Sequence, residues 1–195
     1  MKRNATATKA RIFAAAADEF AQYGIAGARV DRIAKSAQAN KAQIYEYFGP
    51  KEILFENVLE HELLRLITEV RTPEKSDDIP EFVGKAFDFH IAHPNLVKLL
   101  HWEALYFGNK RVPGEIGRTA FYKERSERLG EVLAGSSDEL TLDPRHLHFI
   151  LVSIATSWFS MPQLARFHLN EDAFSEQALA EQRRHIIEIT SRILQ

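Results

Sequence analysis

The chain has 195 residues, 45% of them hydrophobic and 27% charged, a composition typical of one or two small globular domains. It contains no cysteine, so disulfide bonds, thiolate metal sites and cysteine nucleophiles are excluded. The polar N-terminus lacks the apolar core of a secretory signal, and no segment is apolar enough over the length that a membrane span requires. We therefore expect a cytoplasmic protein without a membrane partner.

The net charge of −2 conceals a basic N-terminal part and an acidic remainder. Residues 1–52 contain nine Lys/Arg and five Asp/Glu, a net charge of +4, whereas residues 53–195 carry a net charge of −6. Because salt confines such fields to roughly 8–10 Å, a locally basic part is enough to attract the phosphates of a nucleic acid. Chance clustering of charges on a solvated face is the alternative interpretation.

Apolar residues recur with the period of amphipathic helices along most of the chain, and no strand alternation stands out. The expected fold class is all-α, with about nine helices that form a small N-terminal head and a larger body. The predicted helices are Thr8–Tyr23, Val30–Ala37, Lys41–Tyr47, Lys51–Arg71, Glu81–His93, Asn95–Phe107, Gly117–Leu133, Pro144–Ser160 and Ser175–Leu194. Gly24 can close the first helix, and 108–114, 135–138 and 162–172 are predicted connections.

Residues 30–51 have the pattern of two short helices joined by a tight turn and followed at once by a third helix. Ile33, Ala37 and Ile44 can form the inward face, and alanines at the crossing allow the two backbones to approach closely. The second short helix carries polar side chains outward, as a helix placed in the major groove of DNA requires. A three-helix packing unit without a DNA partner is the alternative.

The candidate DNA contacts lie on this second short helix and beside the neighbouring helix starts. Gln43 can make a bidentate bond to adenine, and Lys41 can reach guanine or a phosphate. Tyr47 and Lys51 are placed for the DNA backbone, and Lys51 adds charge beside a helix N-terminus, which already favours an anion. The full set is Arg29, Lys41, Ala42, Gln43, Tyr45, Tyr47 and Lys51.

An ordered set of short motifs runs through residues 8–60. It consists of A-x-x-x-F in a helix that ends in Tyr23-Gly24, then Val30-x-x-Ile33-Ala34, Asn40-Lys41-x-x-Ile44-Tyr45-x-Tyr47-Phe48 and Lys51-Glu52-x-Leu54. This set resembles the DNA-binding region of the tetracycline-repressor (TetR) family of bacterial transcriptional regulators. The resemblance implies that residues 1–52 bind double-stranded DNA, and that residues 53–195 bind a ligand and dimerise.

The head departs from the usual TetR pattern at three places. Ala28 and Arg29 stand where the family usually has Ser or Thr, so a capping hydroxyl is missing at a cost of about 1 kcal/mol, while Arg29 can supply a phosphate contact. Gln38 stands where the turn usually has Gly, and must adopt an unfavourable backbone conformation or a different turn. Ala42 replaces a frequent Gly and narrows the approach to the DNA backbone.

The last two predicted helices are candidates for a dimer interface, because one recognition helix makes too few contacts for a specific operator. The resemblance implies that they pair with their copies in a four-helix interface. The candidate residues are Ile150, Ser153, Ile154, Ser157, Trp158, Leu179, Ile186, Thr190 and Ile193. Packing of both helices inside a monomer is the alternative interpretation.

The middle helices are rich in large aromatic residues. The resemblance implies a ligand pocket among these helices, and we expect a small apolar or aromatic effector. The candidate pocket residues are Phe87, His90, Trp102, Glu103, Tyr106, Phe121 and Tyr122. For any one aromatic residue, ordinary core packing is the alternative. His90 and His93 have a spacing that can suit a metal, but no third ligand is evident, so neither a metal nor a cofactor is expected.

The sequence contains no Walker loop, GxGxxG, GxSxG or HExxH motif, so no catalytic residue is assigned. The residues and the resemblance together predict a ligand-responsive transcriptional repressor that binds a palindromic operator as a homodimer. A DNA-binding regulator or DNA-organising protein without a small-molecule effector is one alternative, and an all-α enzyme is another.

Overall fold

The computed structural model describes residues 2–71, 74, 78–134, 142–169 and 172–194, and over these ranges the regular structure is entirely α-helical. The helices are α1 (Lys2–Gly27), α2 (Val30–Ser36), α3 (Lys41–Phe48), α4 (Lys51–Glu69), α5 (Ile79–Ala92), α6 (Asn95–Phe107), α7 (Glu115–Leu133), α8 (Pro144–Ser160), α9 (Pro162–Leu169) and α10 (Glu176–Ile193). The all-α prediction is confirmed, and each of the nine predicted helices corresponds to one of these. The predicted connection at 135–138 lies outside the described residues.

Helix α9 occupies a segment that the sequence pattern assigned to a connection, and that prediction was wrong. Pro162 begins the helix, a position at which the missing N–H of proline costs nothing. The chain bends by 80° between α8 and α9. Within the described ranges no single helix has both the length and the apolar character to cross a membrane, although this bent pair meets the two criteria when counted together.

Helix α1 changes direction at Gly24, which has φ 66° and ψ 179°. This backbone conformation is open almost only to glycine. The indole of Trp102, on α6, packs against the same point, so that a Cβ on residue 24 would lie 2.5 Å from the ring. The Trp102 Nε1–H also donates to the carbonyl of Ala21 at 3.1 Å. The bend and the absence of a side chain at Gly24 therefore let α6 lie close against α1.

The chain divides into two compact units, and α4 runs from one into the other. Unit 1 comprises residues 1–65 and 95–114, and unit 2 comprises residues 66–94 and 115–195. In unit 1, α1 packs against α2 and α6, with Ile12, Phe20 and Phe55 fully buried. The functional boundary after residue 52 stays a prediction.

Unit 2 is built on α5, which packs against α8 and α10, while α7 packs against α8. Its core consists of Ile79, Val83, Phe87, Leu129, Leu147, Leu151, Ala155 and Ile186. Arg183 on α10 bonds to Asp88 at 2.8 Å and to Glu81 at 2.6 Å, both on α5. An apolar contact surface and this three-residue ion network together define how α10 lies on α5.

Candidate functional site

The turn between α2 and α3 has the strained backbone that the sequence predicted at Gln38. Gln38 has φ 50°, the only positive φ of a non-glycine residue in the part of the chain that the structure describes. The turn is closed by the N–H of Ala39, which donates to the carbonyl of Ala34 at 2.9 Å. Arg11 reinforces it by donating from Nε to the carbonyl of Ala37 at 3.0 Å. These bonds hold α2 and α3 in a helix-turn-helix arrangement despite the unfavourable residue.

Helix α3 begins with a capping box formed by Asn40 and Gln43. The Asn40 side chain accepts from the N–H of Ala42 at 2.9 Å, and the Gln43 side-chain oxygen accepts from the N–H of Asn40 at 3.1 Å. The side-chain oxygen of Gln43 is thus bonded to the backbone of Asn40, which leaves the side-chain N–H groups of Gln43 for other partners. The Asn40-x-x-Gln43 spacing carries this signal, and the sequence analysis missed it.

The outward face of α3 presents Lys41, Ala42 and Tyr45, whose side chains are exposed, whereas Ile44 and Phe48 are buried beneath them. Lys41 Nζ lies 2.8 Å from the carboxylate of Asp31 on α2. Hydrogen bonding and charge attraction between the two raise the pKa of Lys41 and lower that of Asp31. An acidic residue that the sequence analysis did not single out therefore lies on the candidate DNA surface.

Helix α2 is capped from a distance by a buried carboxylate. Arg29, at the N-cap, makes no side-chain capping bond, as expected from the missing hydroxyl. Instead, Glu19 on α1 accepts the backbone N–H of Arg29 at 2.8 Å and the Nε–H of Arg32 at 2.8 Å. The Arg29 side chain remains exposed. Glu19 lies seven residues after the buried Ile12, and this helical spacing could have indicated its inward position.

Lys51 has a role that the sequence did not predict. Its Nζ donates to the carbonyls of Ala26 and Ala28, each at 3.2 Å, and so ties the start of α4 to the segment between α1 and α2. Two of its three N–H groups are therefore used inside the protein. Tyr47 is partly buried, with Lys9 Nζ 5.2 Å from its ring centre. The exposed Lys9 is a further cation at this surface.

Comparison with known proteins agrees with this geometry. Residues 12–58 match the family described as "Bacterial regulatory proteins, tetR family", and residues 78–192 match "Tetracyclin repressor-like, C-terminal domain". The chain belongs to the TetR family. It is 43% identical over 166 residues to the HTH-type transcriptional repressor SCO4008 of Streptomyces coelicolor, with 84% of each chain covered.

Solved structures also share the fold of this TetR-family chain. The putative transcriptional regulator SCO4942 from Streptomyces coelicolor superposes with a TM-score of 0.80 at 30% identity, covering 95% of this chain and 97% of that one. The fatty acid degradation regulator FadR from Bacillus halodurans shares the fold at 19% identity and a TM-score of 0.65, with 92% and 97% covered. The protein is a DNA-binding transcriptional regulator, and such regulators act on operators as dimers, typically respond to ligands and are generally not enzymes.

The predicted pocket residues of this TetR-family chain divide between the two units. Phe87 is a fully buried member of the unit 2 core, so ordinary packing accounts for it. Trp102 packs on α1 as described above, and Tyr106, also in unit 1, is exposed. Glu103 is buried in unit 1, while His90, Phe121 and Tyr122 belong to unit 2, where His90 is buried and Tyr122 exposed. Their common pocket stays a prediction.

Unit 2 contains a cavity of about 270 Å³. It is lined by Thr68, Glu69, Val70, Arg71, Asp78, Glu81, Phe82 and Lys85. None of the predicted pocket residues lines this cavity. Within the described ranges no group of three or more His, Asp or Glu side chains could hold a metal ion.

The candidate dimer residues differ in their exposure. Ile150 and Ile193 are exposed, while Ser153, Ile154, Ser157, Trp158 and Leu179 are partly buried. Ile186 and Thr190 are 1% and 0% exposed, so they pack inside the protomer and do not fit the prediction that they face a partner. Trp158 donates from Nε1 to the carbonyl of Ala173 at 3.0 Å, so part of its role is internal.

Large apolar side chains that the sequence analysis did not select are exposed on the same part of unit 2. Phe149 on α8 is 74% exposed and Phe167 on α9 is 78% exposed. Besides Ile150 and Ile193, the other exposed large apolar residues of these helices and α10 are Val152, Leu164, Leu169 and Ile189. Exposed apolar side chains mark a contact surface for another molecule where they lie together.

Proposed function

We propose that the protein is a ligand-responsive repressor that binds a palindromic operator as a homodimer, with α3 lying in the major groove. One observation carries the proposal. Helix α3 is fixed by the Gln38 turn and the capping box, yet its exposed side chains are those of Lys41, Ala42, Tyr45 and Glu46. A rigid short helix with an exposed polar face, in a locally basic head, has the features that groove recognition requires.

The Lys41–Asp31 ion pair has a defined role in this proposal. Both partners are exposed, so the pair itself contributes little to stability. When a phosphate approaches, Lys41 exchanges the Asp31 carboxylate for the phosphate, and Arg29 adjoins the same group of charges. The Asp31 carboxylate therefore opposes the binding of any DNA. It lowers the affinity for non-specific DNA more than the affinity for the operator, because base contacts compensate for it only at the operator.

We place the dimer interface on the exposed apolar side of α8 and α10. Ile150 and Ile193 belong to the predicted set, and Phe149, Val152 and Ile189 extend it. A two-fold dimer would present two α3 helices to half-sites about 34–36 Å apart. Sedimentation velocity tests the placement. Phe149→Asp should give monomers, whereas Leu105→Asp, at an equally exposed residue of α6 in unit 1, should leave the dimer intact.

The effector response is assigned to residues 53–195 and the DNA contact to residues 1–52. Only two residues separate the end of α3 from the start of α4, so a change in the position of α4 is passed to α3 through the chain itself. A small apolar or aromatic effector that prefers the conformation unable to straddle the operator would release DNA.

The test is fluorescence anisotropy with duplex DNA from upstream of the protein's own gene. Tyr45→Ala and Lys41→Gln should each weaken binding about tenfold or more, because each removes a contact on the exposed face of α3. Lys35→Gln is the matched control, since it removes one exposed positive charge from α2 and should change affinity little. Equal losses for Lys41→Gln and Lys35→Gln would contradict the assignment of α3 as the recognition helix.

A further inference from the structure

A buried arginine in unit 2 lacks an anionic partner. Arg125, on α7, is 8% exposed. Its Nη2 donates to the carbonyl of Val70 at 3.2 Å, but its Nη1 is buried and has no hydrogen-bond partner among the described residues. Burial lowers the pKa of Arg125, yet a guanidinium stays charged at any ordinary pH. A buried cation with unused donors is costly unless an anion compensates it.

The residues around Arg125 do not supply that anion. Glu124, its neighbour in the chain, is exposed and bonded to Arg128 at 2.8 Å. Ser126 donates to the carbonyl of Tyr122 at 2.8 Å and lies 3.2 Å from His148 Nδ1. Burial and the nearby Arg125 lower the pKa of His148 to about 4, so it is neutral at neutral pH. Among the described residues the surroundings are polar and aromatic, and the exposed Glu124 acts on Arg125 only through charge attraction, without a hydrogen bond to it.

The aromatic neighbours indicate the shape of the missing partner. The Arg125 guanidinium lies over the ring of Phe121 at 5.2 Å, and the rings of Tyr122 and His148 are 6.2 Å apart. We propose that Arg125 is the receptor for a small aromatic carboxylate, held by an N–H···O bond from Nη1 and by the rings beside it. The proposal rests on the proposed effector response and adds the charge of the effector to it.

Arg125 also touches the end of the helix that leads to the DNA-binding head. Val70 follows directly after α4, its N–H donates to the carbonyl of Leu66 at 2.7 Å, and its own carbonyl lies at the C-terminal end of the helix, where partial negative charge accumulates. A carboxylate bound at Nη1 draws the guanidinium toward itself and so weakens the Nη2 bond to this carbonyl. Binding would therefore loosen the contact between α7 and the end of α4, which is the kind of differential interaction that a ligand needs to shift a conformational equilibrium.

Isothermal titration calorimetry with benzoate, benzamide and benzamidine tests the assignment, because these three molecules share a shape and differ in charge. Benzoate should bind the full-length protein at least about tenfold more tightly than either of the others. Arg125→Met should abolish the preference, and Arg125→Lys, which keeps the positive charge, should retain a weaker one. Lys123→Met is the matched control, since it removes an exposed positive charge two residues away on the same helix and should bind benzoate like the wild type. In the wild type, benzoate should also raise the pKa of His148 in an NMR titration, identified by the signal that His148→Gln lacks.

The proposal is overturned if benzoate does not bind, if benzamidine binds as well as benzoate, or if Arg125→Met binds benzoate like the wild type. DNA anisotropy on the same samples separates this failure from failure of the proposed function. Unchanged DNA affinity at saturating benzoate would overturn the link through Val70. Absence of DNA binding by the wild type without benzoate would refute the repressor function, while the calorimetry would still decide whether Arg125 receives a carboxylate.

Discussion

Acid should destabilise this protein through two buried histidines of unit 2. Burial is the main cause that lowers the pKa of each histidine from 6.5 to about 4. The charge of His93 lowers the pKa of His90 further, and the charge of Arg125 lowers the pKa of His148 further. Between those pH values the unfolded chain binds a proton at each site and the folded chain does not, so folding stability falls as pH falls. The contribution of the neutral histidines is fully present above pH 6.5 and is lost toward pH 4. Lowering the pH from 7 to 5 should remove about 2 kcal/mol per histidine, or about 4 kcal/mol per protomer.

The assay is urea unfolding at pH 7 and pH 5 at one fixed protein concentration, because dimer stability depends on concentration. His90→Leu suits a site beside the rings of Phe89 and Phe159, and His148→Gln can keep a bond to Ser126. Each variant should lose about half of the pH difference, and the double variant nearly all of it. His101→Gln, at an exposed site, is the control. A double variant that keeps the full wild-type difference would refute the reasoning.

Three further substitutions test the geometry of the head. Gln38→Gly should stabilise the protein by about 1 kcal/mol in urea unfolding, because glycine adopts the positive φ at this turn without strain. Gly24→Ala should destabilise it by roughly 2 kcal/mol or more, since the new Cβ meets the Trp102 ring in a backbone conformation that side chains avoid. Asp31→Asn should tighten DNA binding roughly three- to tenfold and steepen its salt dependence by about one ion, because Lys41 becomes free for a phosphate.

Each of these substitutions has a matched control. Lys35→Gly, in the helical backbone of α2, should destabilise by roughly 0.5–1 kcal/mol, the opposite sign to Gln38→Gly. Gly27→Ala places a Cβ at an ordinary contact distance of 3.4 Å and should be tolerated far better than Gly24→Ala. Glu60→Gln removes an exposed carboxylate on α4 and should leave DNA affinity near the wild-type value. If a control variant changed the stability or the DNA affinity as much as its test variant and in the same direction, the contact assigned to the test residue would be wrong.

The sequence by itself determined the elements whose cause is local. Helical periodicity predicted nine of the ten helices found in the described ranges, because an amphipathic stripe needs only neighbouring turns to be visible. The strain at Gln38 was one of two outcomes that the resemblance implied, because the family usually has Gly at this turn, and a non-glycine residue there needs either an unfavourable backbone or a different turn. The short motifs from α1 to α4 were specific enough to indicate the family before any contact was known.

Tertiary structure decided which distant groups meet. Glu19 caps α2, Lys51 binds the carbonyls of Ala26 and Ala28, and Ile186 turns into the core, although nothing local marks their partners. The sequence shows that an apolar stripe must be buried or that a lysine must be hydrogen-bonded, but it does not show the partner, because the partner lies on helices far along the chain. For the same reason Arg125 resembles any charged helix residue in the sequence, and only the fold buries it with an N–H group left unused.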